Sequence, residues 1–266
     1  MLFQLLHESV GDMVYKALDG EGLPLEALAD FLNDPNPGPH AQVRINVGYA
    51  AEFSSMMCMN DPTYTKPRKP DALVPFVDIQ PRMDQINTLR IDTVESLADE
   101  QSEQTEFNHR LFYMMTTLKA DSGILKTFME KFLITFENSK DVPELIYVAT
   151  YELYPVSLIR TGGSNSLGLD PAEGPLICLL LYASWDNSSG DSKVIDENNI
   201  LLEAINKEVE AKGLLSPYRY TNYAFTHQDP ISSYGNDVKA EVQAVSRKYD
   251  PEDFFQAAVH GGFKFF

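Results

Sequence analysis

The chain has 266 residues, 44% of them hydrophobic, and a formal net charge of −18. That is enough apolar material for one large domain, or for a domain with an extension. The acidity argues against nucleic acid and anionic membrane surfaces as partners, since both would repel it.

Residues 1–20 are ambiguous, with a helix as one reading. Their apolar run is short, broken by Gln4 and preceded by no basic leader. They make no signal peptide, and no window approaches the ~18 apolar residues of a membrane span, so the expected location is cytoplasmic. From Leu23 to Phe31 a helical stripe of Leu25, Leu28, Phe31 and Leu32 is closed by the proline cluster from Asn33 to Pro39. Val43 to Tyr49 alternates apolar and polar residues and predicts a strand with one buried face. After Thr63-Tyr64-Thr65-Lys66-Pro67 a proline-studded connection runs to Pro81. Gln85 to Asp92 reads as a strand, and Thr93 to Phe107 as a polar helix.

Leu111 to Leu118 reads as a strand, and Ile124 to Phe136 as an amphipathic helix. Leu145 to Leu158 reads as a long strand. One face carries Ile146, Val148, Thr150, Glu152 and Tyr154, the other Tyr147, Ala149, Tyr151 and Leu153. A Gly-rich loop from Thr161 to Pro171 leads to Pro175–Ser184, apolar enough to lie centrally in a sheet. Val194 to Lys212 predicts a helix stopped at Gly213. The two cysteines, Cys58 and Cys178, sit among apolar residues and read as buried free thiols. No metal site is indicated.

The tail from Tyr218 to Phe266 opens on an aromatic strand. After a proline-containing loop comes a helix over Lys239–Tyr249, with Ala240, Val242, Val245 and Tyr249 on one face. Asp250-Pro251 ends it. Phe254-Phe255 and Gly261-Gly262-Phe263 read as an apolar coil laid onto the body. The order of elements predicts an α+β fold: a mostly antiparallel sheet with helices packed on one side, plus a C-terminal strand-loop-helix extension.

Several of these stretches carry a resemblance. Asn222-Tyr223-Ala224, Gln228-Asp229-Pro230-Ile231, Ser233-Tyr234-Gly235, Val245 to Pro251 and Gly261-Gly262-Phe263-Lys264 are similar to the C-terminal signature of the fungal berberine-bridge-enzyme-like FAD-linked oxidoreductases, of the vanillyl-alcohol-oxidase type. Asn33-Asp34-Pro35, Tyr64-Thr65-Lys66-Pro67 and Asn165 to Leu169 extend it over residues ~25 to 266. The resemblance implies the substrate-binding half of such an enzyme, without the FAD-binding half. It divides the chain into an unmatched segment 1–24, a substrate-binding α+β domain 25–215 and a berberine-bridge-like segment 216–266. It also implies a sheet whose open face roofs the isoalloxazine ring, and relatives that are often secreted.

FAD is the cofactor by resemblance, although the chain alone is not expected to bind it. The loop Gly162-Gly163-Ser164 precedes a strand instead of opening a helix, so it lacks the helix N-terminus that would hold a phosphate. Asn222 and Tyr223 match positions that lie near the flavin when FAD is present. His227 stands where the family has a Trp, and it is a candidate acid–base group or a structural histidine. Glu152 interrupts an aromatic strand and is a second catalytic candidate if desolvated; otherwise it is a surface acid. Tyr147, Tyr151, Tyr154 and Tyr220 could line a pocket for a planar substrate, or pack a core.

Three functions stay open. One is the substrate-binding half of an FAD-linked oxidoreductase acting on a small secondary metabolite, either split from a separate FAD-binding half or truncated. Another is a cofactor-independent cyclase or isomerase that reuses the pocket, possible as a homodimer. The last is a non-catalytic binding protein.

Overall fold

A computed structural model describes residues 13–16, 24–34, 38, 40–50, 55–66, 70–80, 82–103, 109–161 and 165–266. Residues 1–12, the prolines at 35, 37, 39, 67 and 81, the end of the helix expected to reach Phe107, and Gly162-Gly163-Ser164 lie outside these. The strands are β1 Met13–Lys16, β2 Ala41–Ala50, β3 Ser55–Tyr64, β4 Arg110–Lys119, β5 Ile146–Tyr154, β6 Leu176–Trp185 and β7 Leu215–Ser216. The helices are α1 Leu25–Asn33, α2 Val74–Val77, α3 Val94–Glu103, α4 Ser122–Ser139, α5 Val156–Thr161, α6 Asp191–Ala211, α7 Pro230–Ser233, α8 Asn236–Tyr249 and α9 Phe254–Ala257.

The strands form one sheet of order β1-β3-β2-β5-β6-β4-β7. Every pairing in it is antiparallel. Side chains alternate between its two faces. One face takes Val43, Ile45 and Val47 of β2, Tyr147 to Leu153 in alternation on β5, and Ile177, Leu179 and Leu181 of β6 into a core sealed by α1, α4 and α6. On α4, Asp121 caps the N-terminus by accepting from the Ile124 amide at 2.9 Å, and Ile124, Leu125, Phe128, Phe132 and Phe136 face the sheet. Each such side chain contributes about 1.5–3 kcal/mol when fully buried. The strand β6 is buried nearly throughout, as its apolar run predicts. Cys58 and Cys178 are buried and free.

Several expectations change. The strand β3, on which the sequence carries no expectation, runs through Pro62. That residue stands beyond Asn60, the last position that β1 pairs, so its missing amide costs no ladder bond to β1. The strand expected over Gln85–Asp92 is instead a 3-10 turn at Asp84–Ile86 followed by irregular chain. There the polar side chains satisfy the backbone locally: Asn87 Oδ1 accepts from the Leu89 amide at 3.1 Å, and Arg90 donates to the Thr88 carbonyl. At β5 the strand ends at Tyr154, because Pro155 cannot continue the ladder and α5 begins behind it.

The aromatic strand expected at the start of the tail is replaced by turns, with Tyr223 N donating to Tyr220 O at 3.0 Å and Gln228 N to Phe225 O at 2.8 Å. Only Leu215–Ser216 joins the sheet, beside β4. Finally, α8 turns Val238 and Val242 toward a cluster of Tyr218, Ile231 and Tyr234. Of the stripe expected on it Val242 packs, whereas Val245 and Tyr249 are 50% and 74% exposed, and Phe254 and Phe255, expected as a coil laid onto the body, open the exposed helix α9. Among residues 13–16, part of the stretch where a helix was one reading, the chain is the strand β1.

Candidate functional site

The face opposite α1, α4 and α6 is covered in part by the tail, whose Tyr220 and Tyr223 pack on Met115, Cys178 and Leu180 and whose α7 and α8 join the cluster around Tyr154. Its register arranges side chains in rows across the strands, of which three run over its middle. Met57, Gly48, Val148, Tyr182 and Tyr113 make the first row, and Met59, Asn46, Thr150, Leu180 and Met115 the second. The third holds Asp61, Arg44, Glu152, Cys178 and Thr117. In the third row Arg44 stands in register between two carboxylates.

Arg44 Nη2 donates to Asp61 Oδ2 at 2.5 Å, and its Nη1 lies 3.9 Å from Glu152 Oε1. Burial works against the guanidinium charge, yet Asp61 and Glu152 outweigh it and raise the Arg44 pKa. For Glu152 the balance runs the other way. Burial is the largest influence and lifts its carboxyl above the ordinary value, against Arg44 and a hydrogen bond from Tyr223. The Tyr223 hydroxyl donates to Glu152 Oε1 at 3.1 Å, and burial first, then Glu152, push its own pKa up.

Tyr223 reaches this position because the tail crosses the sheet. The anchor is Gln228, whose Nε2 donates to Met115 O at 2.7 Å while its Oε1 accepts from the Met115 amide at 3.3 Å and the Phe225 amide at 2.9 Å. One side chain thus imitates a strand partner on the free edge of β4. Tyr220 and Tyr223 then cover Met115, Cys178 and Leu180. Burial holds the Cys178 thiol well above its usual range, so it is a packing group here. The remainder of the Gly-rich loop clasps the tail: Asn165 Oδ1 accepts from the amides of Leu167 and Leu169, and Gly168 (φ +69°) passes so close that a Cβ would stand 2.0 Å from Tyr234 O.

The structure therefore gathers Glu152, Tyr154, Tyr220 and Tyr223 on or over the face opposite α1, α4 and α6. It does not bring Tyr147 and Tyr151 to them. Both are fully buried on the helix side, where the Tyr147 hydroxyl donates to Asn198 Oδ1 at 2.7 Å and the Tyr151 hydroxyl to Leu125 O at 3.3 Å. Asn222 is exposed and donates to the Tyr220 hydroxyl at 3.0 Å. His227 is exposed beside Phe225 and lines a separate groove of about 380 Å³ between α6 and the tail, with Asn206, Arg219 and Asp229. Sequence reasoning passed over Arg44, Asp61 and Tyr113, and met Gln228 only inside a signature stretch, with no role given to it. Of these, Arg44 alone carried a signal, as a charged residue inside an alternating strand.

Comparison with known proteins places this architecture. Its fold is that of one part of the FAD-linked oxidases. The 6-hydroxy-D-nicotine oxidase of Arthrobacter nicotinovorans superposes with a TM-score of 0.67 at 14% identity, over 94% of this chain and 53% of that one. The glucooligosaccharide oxidase of Acremonium strictum does so with a TM-score of 0.61 at 13% identity, over 93% and 53%.

In sequence the chain is a homologue of fungal FAD-dependent monooxygenases. It is 26% identical to the FAD-dependent monooxygenase tpcD of Cochliobolus heterostrophus over 88% of this chain and 47% of that protein. With the FAD-dependent monooxygenase drtC of Aspergillus calidoustus it shares 27% over 67% and 35%. No protein-family profile matches the chain. The chain spans about half the length, or less, of the curated relatives it matches.

The face opposite α1, α4 and α6 fits a flavin ring in part. It offers a broad surface of uncharged side chains, one carboxyl–phenol pair, and the buried Nε of Arg44, which has no hydrogen-bond partner. It does not fit the pyrophosphate. The described part of the Gly-rich loop runs through the 3-10 turn Pro171–Glu173 into β6, so no helix N-terminus follows it to bind phosphate. Among the described residues no helix is long and apolar enough to cross a membrane, and no His, Cys, Asp and Glu cluster could hold a metal ion.

Proposed function

We propose that this chain is the substrate-binding half of an FAD-linked oxidoreductase acting on a small secondary-metabolite-type substrate. In this reading the face opposite α1, α4 and α6 roofs a flavin ring held by an FAD-binding half that these residues do not include. The observation that carries it is the asymmetry of the sheet. One face is sealed by helices, and the other presents a desolvated carboxyl in contact with a tyrosine hydroxyl. Bound FAD would supply the two-electron oxidation by accepting a hydride from the substrate.

The residues of this chain supply position and proton transfer. Glu152, with its raised pKa, takes a proton from a substrate hydroxyl placed beside Oε1. The Tyr223 hydroxyl holds that carboxylate in orientation and limits how far its pKa climbs. Arg44 favours the carboxylate form of Glu152 that precedes the transfer and is itself held by Asp61. Tyr220 and Tyr223 keep water from the apolar middle of the face.

The test begins with visible absorption of the purified chain titrated with FAD, alone and with the FAD-binding half of a fungal relative supplied. The expected result is no bound-flavin band for the chain alone and a bound, reducible flavin with both halves. In the reconstituted pair, Glu152→Gln should slow flavin reduction by about 100-fold or more without changing the flavin spectrum. A reduction rate that ignores this substitution removes Glu152 from the chemistry. Turnover of a substrate by the colourless chain would favour the cofactor-independent cyclase.

A further inference from the structure

On α6 the residues Asn199, Leu202, Glu203 and Asn206 follow the spacing i, i+3, i+4, i+7 and so share one stripe of the helix. That stripe is one wall of the groove of about 380 Å³ in which His227 stands, and the tail supplies the other wall with Pro217 and Arg219. Its volume suits a small organic molecule.

Two charges line this groove without meeting. Arg219 is half-buried, and its Nη1 donates to the carbonyls of Ser216 at 2.9 Å and Tyr218 at 2.8 Å. Its Nε and Nη2 have no hydrogen-bond partner among the described residues. Burial lowers the Arg219 pKa, and no carboxylate offsets that cost. Elsewhere in this acidic chain Arg44, Arg90 and Arg110 are held by Asp61, Asp92 and Asp191. On the opposite wall Glu203 is exposed, with no hydrogen bond or ion pair among the described residues. The third charge, Asp229, is already engaged. Its Oδ1 accepts from the Ser232 amide at 2.9 Å, and hydrogen bonds from Ser232 first, then Lys239, hold its carboxyl below the usual range. Asn206 adds a free donor, because its Oδ1 is taken by the Thr116 hydroxyl at 2.6 Å and its Nδ2 has no partner among the described residues.

We infer that the groove binds a small zwitterion of the α-amino-acid kind, with its carboxylate on Arg219 and Asn206 and its ammonium on Glu203. An apolar side chain lies between Leu202 and Pro217. The class follows from the three kinds of group in one small groove. An anion alone would meet Glu203 and a cation alone would meet Arg219, whereas a zwitterion gives each charge its partner. It also carries no net charge, so the general repulsion that a chain of −18 exerts on anions does not act on it. Because the walls belong to α6 and to the tail, the ligand ties that helix to the segment carrying Tyr220 and Tyr223. Glu152 is no part of this groove, and the inference does not rest on flavin chemistry.

The experiment is calorimetric titration of the full chain with L-leucine, with 4-methylpentanoate, which lacks the ammonium, and with 3-methylbutylamine, which lacks the carboxylate. Leucine should bind at least about tenfold more tightly than either. Glu203→Gln removes the acid from an exposed helix position and should weaken leucine by about tenfold. The same variant should bind 4-methylpentanoate more tightly than the wild type does, because a repulsion is gone. Damage to the fold would weaken both ligands instead. Arg219→Gln should weaken leucine and 4-methylpentanoate together. Should that variant fail to fold, since Nη1 holds the turn at residues 216–218, Glu203→Gln carries the test alone. No saturable binding of leucine, equal affinity for the three probes, or a Glu203→Gln chain that binds leucine like wild type would overturn the inference.

Discussion

Burial disfavours the charged form of Glu152, whereas Arg44 and the Tyr223 hydroxyl favour it. Burial wins, so the pKa of the folded chain stands above the ordinary 4.5. The folded state then keeps this proton over a pH interval in which the unfolded chain has released it. The associated stability is fully present below the unfolded value and is lost as pH rises through the folded one. Glu152→Gln cannot titrate. Its stability relative to wild type should therefore increase between about pH 4 and about pH 7, read from urea unfolding at both. A relative stability that falls over this interval would mean that Arg44 and Tyr223 outweigh burial.

Glu152 was visible in the sequence as an acid in an aromatic strand, but its partners were not. Arg44 lies over a hundred positions away and meets it only through the register of β2 on β5. The same blindness misplaced Tyr147 and Tyr151. Alternation separates them correctly from Glu152, yet both faces of β5 carry aromatic side chains, and the strand does not say which face the helices cover.

At the scale of elements, what could be read depended on whether a segment satisfies its own pattern. The apolar run of β6, the alternation of β2 and the stripe of α4 each report their surroundings directly. The tail does not, because its course depends on a contact across the molecule. Gln228 ties Phe225 to the edge of β4 and so decides that an aromatic segment crosses the sheet instead of joining it. Gln228→Ala should cost about 1–3 kcal/mol, since it strips partners from the Met115 backbone and the Phe225 amide. The loss should be local. Amide exchange at residues 220–225 should accelerate more than in β5 or β6. Uniform acceleration through the sheet would show that Gln228 supports the whole fold and not the placement of Tyr223.

The whole molecule carries 39 acidic residues against 21 Lys and Arg. Its electrostatics divide into general repulsion and particular attractions that tie elements together. Arg110 pairs with Asp191 between β4 and α6, Lys126 with Glu26 between α4 and α1, and Lys193 joins α6 to Asp141. These pairs are largely exposed, where each contributes about 0–1 kcal/mol and is weakened by salt. The repulsion acts over a longer range. Shortening the Debye length from about 30 Å at ~0.01 M salt to about 8 Å at ~0.15 M screens it more than it screens pairs in contact. Thermal unfolding should therefore occur at a higher temperature in the saltier buffer, with sodium chloride chosen so that the change is one of screening. Arg110→Gln should enlarge that gain, because it removes an attraction and adds to the unbalanced negative charge. A midpoint that falls with added salt would mean that the ties between α1, α4, α6 and the sheet outweigh the repulsion. The helix layer that seals one face would then be held by charge as well as by its apolar core.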